Sequence, residues 1–424
     1  MAITKEPCDH RSQGLRLMLR RKPKPRLGGP ADFSRQLDTD PGLDTDPLAG
    51  RRILFVVNLD RAFLSHRLAL GLGAQVAGAD VWVAAPDTGR SMEIRQHGLH
   101  FVPLKISRNR GRLLGELVTV LSLARLYHRL KPDLVHHVTI KPVLYGSIIS
   151  RVRRIRTVNA IPGFGHLYGS EESKVLRMAV EWIYRIALRN PRSYTVFQNE
   201  EDRNDFTGRG LAPESRAILI RGAGVDCDVF RPASAPPGEL IVLFASRMLR
   251  EKGVEDFVAA ARSLRPSYPE VRFVLVGDED NSPSSVTADQ LRGWQEEGVV
   301  EWWGYTSPME DVLHQASIVV LPTFYREGLP KILLEAAACG LPMISTDIPG
   351  CRDIVRDGVT GLLVAPHDHQ GLIAAIRALL DDGESRRLLG RQARALVVEQ
   401  FSVEQIGHET LAVYRALLSD THGR

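Results

Sequence analysis

The sequence predicts an α/β protein of two lobes, each built on a parallel sheet, with a ligand-binding cleft between them. The chain has 424 residues, more than a single hydrophobic core usually holds. From residue 53 onward, near-continuous apolar segments alternate with helical ones, as in parallel sheets that helices cover on both faces. A proline-rich segment at 230–239 divides this series in two and indicates a linker.

Short apolar runs bounded by turn-forming or charged residues predict the strands of both lobes. The strands predicted for the first lobe are 53–58, 81–86, 133–138, 156–161, 193–199 and 216–222. Those predicted for the second lobe are 240–246, 271–277, 299–304, 317–323, 342–347 and 361–366. We therefore assign residues 51–228 to the first lobe and 229–401 to the second.

Residues 1–50 differ from the rest of the chain and predict a disordered tail. They contain a basic stretch broken by prolines, 16–27, and the pentapeptide LDTDP twice, at 37–41 and 43–47. A segment of this composition cannot bury a hydrophobic core.

Composition narrows the class of protein and its compartment. With 44% hydrophobic and 25% charged residues, the chain resembles an ordinary globular enzyme. No apolar run approaches the ~18 residues that span a bilayer, and the N-terminus lacks the apolar region of a secretory signal. The four cysteines lack metal-ligand spacing and predict a reducing cytoplasm.

Charge is distributed unevenly between the two halves of the chain. Residues 51–225 carry 27 Lys and Arg against 14 Asp and Glu, whereas residues 226–424 carry 19 against 29. A basic lobe suggests a polyanionic partner, such as a nucleic acid or an anionic membrane, and an asymmetric solvated surface is the alternative. The lobe lacks the aromatic and basic stacking surface of nucleic-acid-binding modules, so we expect no nucleic acid partner.

Two common cofactor motifs are missing or weak. A nicotinamide cofactor would need GxGxxG directly after the first strand, but the loop at 58–67 has no glycine. Metal-dependent sugar transferases often carry Asp-x-Asp after a strand, and among four such triplets only the one formed by Asp278 and Asp280 has that place. Turn formation explains these aspartates better. We therefore expect no metal ion and no resident cofactor.

An anion site is predicted in the first loop of the second lobe. Arg247 ends the first strand of this lobe, and Lys252 precedes Gly253 at the start of the next helix. Two fixed cations at a strand end, facing a helix N-terminus, can hold a diphosphate without a metal. Surface charges on an ordinary loop are the alternative.

Two glutamates surround a predicted helix start later in this lobe. Gly328 permits a tight turn after Glu327, Pro330 suits the first helical position, and Gly340 ends the helix in a left-handed conformation. Glu335 lies inside the helix. The two carboxylates either complement the helix dipole or belong to a ligand site.

These features follow one another along the second lobe and together resemble a known family. The Arg-Lys pair, GAGVDCDVF at 222–230 and EGLPKILLEAAACG at 327–340 are similar to the GT-B glycosyltransferases of family 4, whose signature is Glu-x7-Glu. The resemblance covers about residues 52–420. It implies two Rossmann-like lobes facing a central cleft, and a C-terminal helix, within 402–424, that crosses back to the first lobe.

Further segments look like one subgroup of that family, which adds N-acetylgalactosamine or similar sugars to undecaprenyl-diphosphate-linked oligosaccharides. These are FLSHR (63–67), TIKPVLYGS (139–147), NAIPGFG (159–165), VFQNEED (196–202) and TDIPGCRDIV (346–355). The sequence departs from the subgroup at NLDRAF (58–63), where aromatic residues are more usual, and in its long tail. The resemblance implies a retaining, metal-independent transferase of a hexose or N-acetylhexosamine, with a UDP-sugar as donor and a polyprenyl-diphosphate-linked saccharide as acceptor.

The resemblance also implies roles for the donor-binding residues. Glu327 is expected to contact the hydroxyls of the donor sugar, and the backbone of Gly328 and Leu329 to meet the sugar and the diphosphate. Glu335 is expected to hold the ribose hydroxyls, because carboxylates accept strongly from paired hydroxyl groups. The catalytic residues implied by the resemblance are Glu327, Arg247 and Lys252. The two cations, Arg247 and Lys252, are expected to neutralise the departing diphosphate.

The first lobe is expected to bind the acceptor at strand ends that face the cleft. The candidate acceptor-binding residues are His66, Arg67, Lys141, Gly163 and Gly165. Of His136 and His137, which lie in a strand, at least one is expected to be a hydrogen-bonded core residue. Two alternatives remain open: a UDP-sugar 2-epimerase of the same fold, which needs no acceptor, and a transferase acting on a non-lipid acceptor.

Docking on an anionic membrane is predicted for the basic first lobe. Its charges concentrate in 105–112 and 151–156, and a polyprenyl-linked acceptor would bring the enzyme to the inner face of the cell membrane. The predicted helix at 111–130 carries leucines at helical spacing, which we expect to face the lobe's own core. These are Leu113, Leu114, Leu117 and Leu121.

Overall fold

The computed structural model describes residues 46–106, 113–161, 174–233, 238–280, 282–326 and 328–419. Most of the predicted tail lies outside the described residues. So do three of the candidate site residues, Gly163, Gly165 and Glu327.

Within the described residues the first lobe contains a seven-stranded sheet in the order β3-β2-β1-β4-β5-β6-β7, and every neighbouring pair is parallel. The strands are β1 Arg52–Val56, β2 Asp80–Ala85, β3 His100–Pro103, β4 Leu134–Val138, β5 Arg156–Ile161, β6 Ser193–Phe197 and β7 Ala217–Leu219. The helices around them are α1 Asp60–His66, α2 Leu68–Val76, α3 Ser91–Gln96, α4 Leu113–Leu130, α5 Ser147–Val152, α6 Lys174–Leu188 and α7 Glu200–Gly208.

The described part of the second lobe contains a six-stranded parallel sheet in the order β10-β9-β8-β11-β12-β13. The strands are β8 Ile241–Ala245, β9 Arg272–Val276, β10 Glu301–Trp302, β11 Ile318–Leu321, β12 Met343–Thr346 and β13 Gly361–Val364. The helices are α8 Val254–Leu264, α9 Ala288–Glu296, α10 Met309–Leu313, α11 Lys331–Ala338, α12 Cys351–Ile354, α13 His369–Asp381 and α14 Gly383–Gln400, followed by α15 Val403–Ser419.

The predicted α/β fold with two parallel sheets is confirmed, and each predicted strand overlaps an observed one. The central strands are apolar along their length because helices cover both faces: all five residues of β8 are buried. Strand β3 was missed. It is a four-residue edge strand in which only Phe101 is buried, so it lacks the apolar run on which the prediction depends.

The last helix, α15, returns to the first lobe, as predicted. Ile406, Val413, Tyr414 and Leu417 are buried in the same core as Phe55 of β1. The chain crosses between the lobes where Val225 and Ser402 form an isolated parallel bridge. The boundaries at residues 228 and 402 stay predictions.

Helix α4 is apolar on two sides, and the prediction was wrong for three of its leucines, whereas the side chain of Leu113 is not among those that the structure describes. Its inner side packs against the sheet through residues such as Leu123 and Tyr127, which are buried. Leu114, Leu117 and Leu121 instead lie on the outer side and are 80%, 54% and 42% exposed. In the part of the chain that the structure describes, no helix is both long and apolar enough to cross a membrane.

The two strand histidines are both core residues. His136 Nδ1 lies 2.5 Å from the Tyr414 hydroxyl, and His137 contacts the Tyr127 hydroxyl at 2.7 Å and Asn159 Oδ1 at 2.8 Å. Burial lowers the pKa of both rings, that of His137 to about 4. Both imidazoles are therefore neutral in the folded protein at neutral pH.

We expect the free energy of unfolding to depend on pH through His137. The unfolded chain binds a proton at this residue below pH 6.5, whereas the folded protein does so only near pH 4. The contribution of His137 to the free energy of unfolding is thus lost as the pH falls from 6.5 to about 4, at up to about 1.4 kcal/mol per pH unit. Urea unfolding at pH 7.0 and 5.0 measures the effect.

The matched variant for this measurement is His137→Gln. All other titrating groups are shared with the parent protein, so the difference between the two pH dependences isolates His137. The variant should be less stable at pH 7 but lose less stability on acidification. An equal loss in both proteins would contradict the assignment.

Candidate active site

The candidate site lies where the strand order of each sheet reverses. In the first sheet this point is between β1 and β4, and in the second it is between β8 and β11. Open parallel sheets bind ligands in the crevice outside the carboxyl ends of the strands at such a point. Except for Gly163 and Gly165, which follow β5, the candidate residues of both lobes follow these four strands along the chain.

In the second lobe, the predicted diphosphate loop packs against the segment that follows β11. The backbone carbonyl of Glu251 accepts hydrogen bonds from the amides of Phe324 (3.1 Å) and Tyr325 (3.2 Å). Gly253 has φ +80°, and a Cβ there would collide with the carbonyl of Pro322. The loops of β8 and β11 are therefore one packed unit.

The two predicted cations lie on this unit. The Nζ atom of Lys252 is 5.2 Å from the centre of the Tyr325 ring, a cation–π distance. The guanidinium of Arg247 forms an ion pair with Asp280 at 3.0 Å, and its side chain is 59% exposed. Such an exposed pair contributes only about 0–1 kcal/mol, so an anionic ligand can displace the carboxylate easily.

The two aspartates considered as metal ligands have protein partners. Asp278 Oδ1 accepts a hydrogen bond from the Tyr305 amide at 2.8 Å, and Asp280 holds Arg247. Among the described residues, no group of three or more His, Cys, Asp and Glu side chains is arranged to hold a metal ion. The expected independence of metal stays a prediction.

Glu335 is a buried carboxylate near the start of α11. Its side chain is 7% exposed and lies 2.9 Å from the Lys331 ammonium. Burial raises the pKa of Glu335, and the charge of Lys331 opposes that shift. Pro330 precedes the helix as its N-cap and does not occupy the predicted first helical position, whereas Gly340 has the expected positive φ, +72°.

In the first lobe, His66 and Arg67 lie together at the end of α1. The surrounding protein, with the charges of Arg67 and Lys331, lowers the pKa of His66 to about 4, so this ring is neutral at neutral pH. Leu329, just before α11, lies against Gly222 of the first lobe, and the carbonyl of Gly222 accepts weakly from Arg67. The donor and acceptor candidates of the two lobes therefore share one cleft.

Arg67 is a buried cation that forms no ion pair within the described residues. Its side chain is buried, and its Nη1 atom donates to the carbonyl of His66 at 3.3 Å and, weakly, to that of Gly222 at 3.5 Å. Its Nε atom has no hydrogen-bond partner. Burying a charge without a counter-ion is costly, so a ligand anion is the expected partner.

Lys141 follows β4 and is held by a residue that the sequence analysis missed. Its Nζ atom lies 2.6 Å from Glu116 Oε1 of α4, and the Tyr145 hydroxyl donates to the other carboxylate oxygen at 2.9 Å. The chain bends sharply here, since Thr139 has φ +76° and residues Pro142–Gly146 form a π-helical turn. Local strain and π-turns concentrate at functional sites.

Comparison with known families explains this arrangement. Residues 239–382 match the family model described as "Glycosyl transferases group 1", and residues 52–199 match "Glycosyl transferase 4-like". Together the matches cover well over half of the chain. The protein is a glycosyltransferase of this group. The predicted family and enzyme class are thereby confirmed.

Individual relatives agree with this assignment. Over 87% of its length the glycosyltransferase is 26% identical to the whole N,N'-diacetylbacillosaminyl-diphospho-undecaprenol alpha-1,3-N-acetylgalactosaminyltransferase of Campylobacter jejuni. It is 23% identical, over 81% of its length and 92% of the relative, to the capsular polysaccharide biosynthesis glycosyltransferase CapM of Staphylococcus aureus.

Solved structures confirm the fold. The glycosyltransferase of Rickettsia africae superposes with a TM-score of 0.73 at 17% identity, covering 88% of this chain and all of that one. Anabaena HepE, solved in complex with UDP and glucose, superposes with a TM-score of 0.70 at 19% identity, covering 87% of this chain and all of that one. Similarity at this level of identity establishes the two-lobed GT-B fold alone.

We expect Arg67→Met to leave the protein as stable as before or to stabilise it. Methionine keeps the apolar stem and removes a buried charge for which the described part of the chain provides no counter-ion. Replacement of buried ionic groups by packed apolar ones is neutral or stabilising by about 1–4 kcal/mol. Urea unfolding at pH 7 measures the change. A large loss of stability would show that Arg67 serves the fold and not a ligand.

Proposed function

We propose that the enzyme is a retaining, metal-independent transferase of a hexose or N-acetylhexosamine from a UDP-sugar to a polyprenyl-diphosphate-linked saccharide in surface glycan biosynthesis. The observation that carries this proposal is the presence of cations at both switch points. Arg247 and Lys252 lie on the donor side, and Arg67 and Lys141 lie on the acceptor side. Two separate anion sites suit two substrates that each carry a diphosphate.

The comparisons support both substrates to different degrees. UDP is bound in two HepE structures, and UDP-glucose is bound in a third. The name of the Campylobacter relative specifies an undecaprenol-linked acceptor and the transfer of N-acetylgalactosamine. Because the identity is 26%, we propose the lipid-linked class of acceptor and leave the individual sugar open.

The donor side can promote departure of the nucleotide. Cleavage of the glycosidic bond leaves negative charge on the UDP diphosphate. Arg247 and Lys252 are fixed by the packed loops of β8 and β11, so they stabilise this developing charge more than the ground state. Glu335, buried beside Lys331, offers carboxylate oxygens to the ribose hydroxyls.

The acceptor side can hold the diphosphate of the lipid-linked saccharide. Arg67 supplies a buried guanidinium that has no counter-ion among the residues the structure describes, and Lys141 supplies an ammonium whose direction Glu116 sets. His66, neutral at neutral pH and exposed at the end of α1, can accept a hydrogen bond from a sugar hydroxyl. These roles place the reacting hydroxyl of the acceptor between the lobes.

Product analysis with a labelled UDP-sugar and an undecaprenyl-diphosphate-linked saccharide tests the reaction. Transfer of label to the lipid fraction with retained anomeric configuration supports the proposal. Conversion of the sugar nucleotide without acceptor would favour a 2-epimerase of the same fold. Transfer only to a water-soluble saccharide would favour a non-lipid acceptor, and loss of activity in EDTA would bring Asp278 and Asp280 back as metal ligands.

We also propose that the first lobe docks on the cytoplasmic face of the membrane through its outer helical layer. Helix α5 packs between α4 and α6, so the three helices form one surface. The exposed apolar residues of this three-helix surface are Leu114, Leu117, Val118, Leu121, Val152, Met178 and Trp182. Arg151, Arg153 and Arg154 are exposed beside them. Apolar side chains and a tryptophan within a basic surface are typical of shallow insertion into anionic bilayers.

We expect Arg247→Ala and Lys252→Ala to lower kcat more than they weaken UDP binding. Each cation meets charge that appears during the reaction, and loss of such a contact costs about 2.7–4 kcal/mol, or 10²–10³-fold. Glu335→Ala should mainly weaken UDP binding, because the ribose contact is equal in the ground and transition states. Steady-state kinetics with calorimetric UDP titration separates the two effects. If Glu335→Ala abolished turnover at unchanged UDP affinity, its assigned role would be wrong.

We expect docking to require both the charges and the apolar face. Replacing Arg151, Arg153 and Arg154 together by Gln should weaken binding to anionic liposomes by about 1 kcal/mol per charge. The pair Leu117→Gln and Leu121→Gln should weaken binding as well, including at high salt. Val76→Gln is the matched control, since Val76 is 89% exposed on α2, a helix that packs on the opposite face of the sheet. If co-sedimentation with liposomes depended neither on lipid charge nor on salt concentration, the electrostatic contribution to docking would be contradicted.

A further inference from the structure

The segment between β11 and α11 contacts the first lobe on both sides of Glu327. Arg326 precedes this position and Leu329 follows it, and the structure describes both residues. Each contacts a different element of the first lobe. The two ends of a short stretch of chain are therefore anchored on the opposite side of the cleft.

The first anchor is a buried ion pair across the cleft. Arg326 Nη2 lies 2.8 Å and Nε 3.0 Å from the same oxygen of Asp202, whose side chain is only 1% exposed. The other oxygen of Asp202 accepts from the Asn199 side-chain amide at 3.0 Å, and the Asp202 backbone amide donates to Asn199 Oδ1 at 2.7 Å. Asp202 is thus fixed by the N-terminus of α7 and presents one oxygen to the second lobe.

The second anchor is a close contact between Leu329 and Gly222. Gly222 has φ +79°, and a Cβ built on it would come within 3.1 Å of Leu329 Cδ1 and 3.6 Å of Leu329 Cβ. A side chain there would force Leu329 to shift by a few tenths of an ångström, and the positive φ itself favours glycine. The carbonyl of the same glycine faces the guanidinium of Arg67.

We propose that Asp202 and Gly222 are positioning residues for the donor-sugar segment, acting through Arg326 and Leu329. The proposal rests on the proposed function, in which Glu327 and the backbone of Gly328 and Leu329 meet the donor sugar. The first lobe thereby completes the donor site of the second lobe. Sugar transfer then depends on lobe contacts that UDP binding alone does not need.

The same interface provides a matched control. Arg352 of α12 pairs with Glu201 at 3.0 Å, one residue before Asp202 in α7. Both side chains of that pair are about half exposed, at 44% and 53%, and neither flanks Glu327. Glu201→Gln therefore removes one cross-cleft charge pair without touching the anchored segment.

The experiment compares Asp202→Asn, Arg326→Gln and Gly222→Ala with Glu201→Gln in the full-length protein. Transfer from a UDP-sugar to a lipid-linked acceptor gives kcat and KM, and calorimetry with UDP gives its Kd. We expect the three anchor variants to lose kcat by about 10²-fold, the scale of a 1 Å misplacement, while the Kd for UDP changes less than about two-fold. Glu201→Gln should keep kcat within about two-fold of the parent.

Three results would overturn the proposal. The first is an unchanged kcat in Asp202→Asn and Arg326→Gln. The second is a loss of UDP affinity in the anchor variants that is as large as their loss of kcat. The third is an equal loss of kcat in Glu201→Gln, which would indicate general weakening of the lobe interface. Asp202 is buried, so circular dichroism checks its variant for folding. If that variant is unfolded, Arg326→Gln decides, because the Arg326 side chain is 30% exposed.

Glu327→Gln distinguishes failure of this proposal from failure of the proposed function. If Glu327→Gln retains turnover, the assigned role of the segment in the donor site is wrong. If Glu327→Gln loses turnover while the anchor variants keep it, the donor site stands and only the positioning by the first lobe is refuted.

Discussion

The site depends on one topological constraint, the reversal of strand order in each parallel sheet. At β1 and β4, and again at β8 and β11, the connections diverge to opposite sides and leave the carboxyl ends of two adjacent strands uncovered. Helices cover much of the rest of each sheet, and the buried polar groups there, such as His137 and Asn159, bond to one another. Polar groups that are to meet a ligand therefore collect at these two openings. Because the openings face each other across the cleft, a donor and an acceptor can meet there.

Several buried charges at these openings and at the contact between the lobes do not serve stability well. Arg67 is buried without an ion pair among the described residues, and burial raises the pKa values of Glu335 and Asp202 despite their cationic partners. If only the stability of the folded protein mattered, packed apolar residues would be favoured at these positions. Their presence is explained if ligands or the opposite lobe complete their coordination. Natural proteins tolerate local costs of this kind mainly where function requires them.

Sequence reasoning located the strands and the candidate loops because both leave local signals, apolar runs and turn chemistry. It missed β3, a short edge strand with one buried residue, and it misjudged α4, where a helix with apolar residues on two sides gives no sign of which side meets the sheet. The pair of Asp202 and Arg326 is separated by 124 residues, so no spacing could reveal it. Glu116 was missed for the same reason, since its partners Lys141 and Tyr145 lie on another element.

At the lobe interface, each lobe contributes side chains whose charge is opposite in sign to the net charge of that lobe. The first lobe is basic overall, yet it offers Asp202 and Glu201 to the cleft, and the acidic second lobe offers Arg326 and Arg352. Coulomb attraction between the lobes as wholes is screened within about 10 Å at moderate salt, whereas the buried pair at 2.8 Å is screened much less. The local pairs, and not the net charges, therefore fix how the lobes meet. The positive charge of the first lobe is left for other partners, and Arg151, Arg153 and Arg154, exposed beside the apolar side of α4, belong to the surface that we propose docks on an anionic membrane.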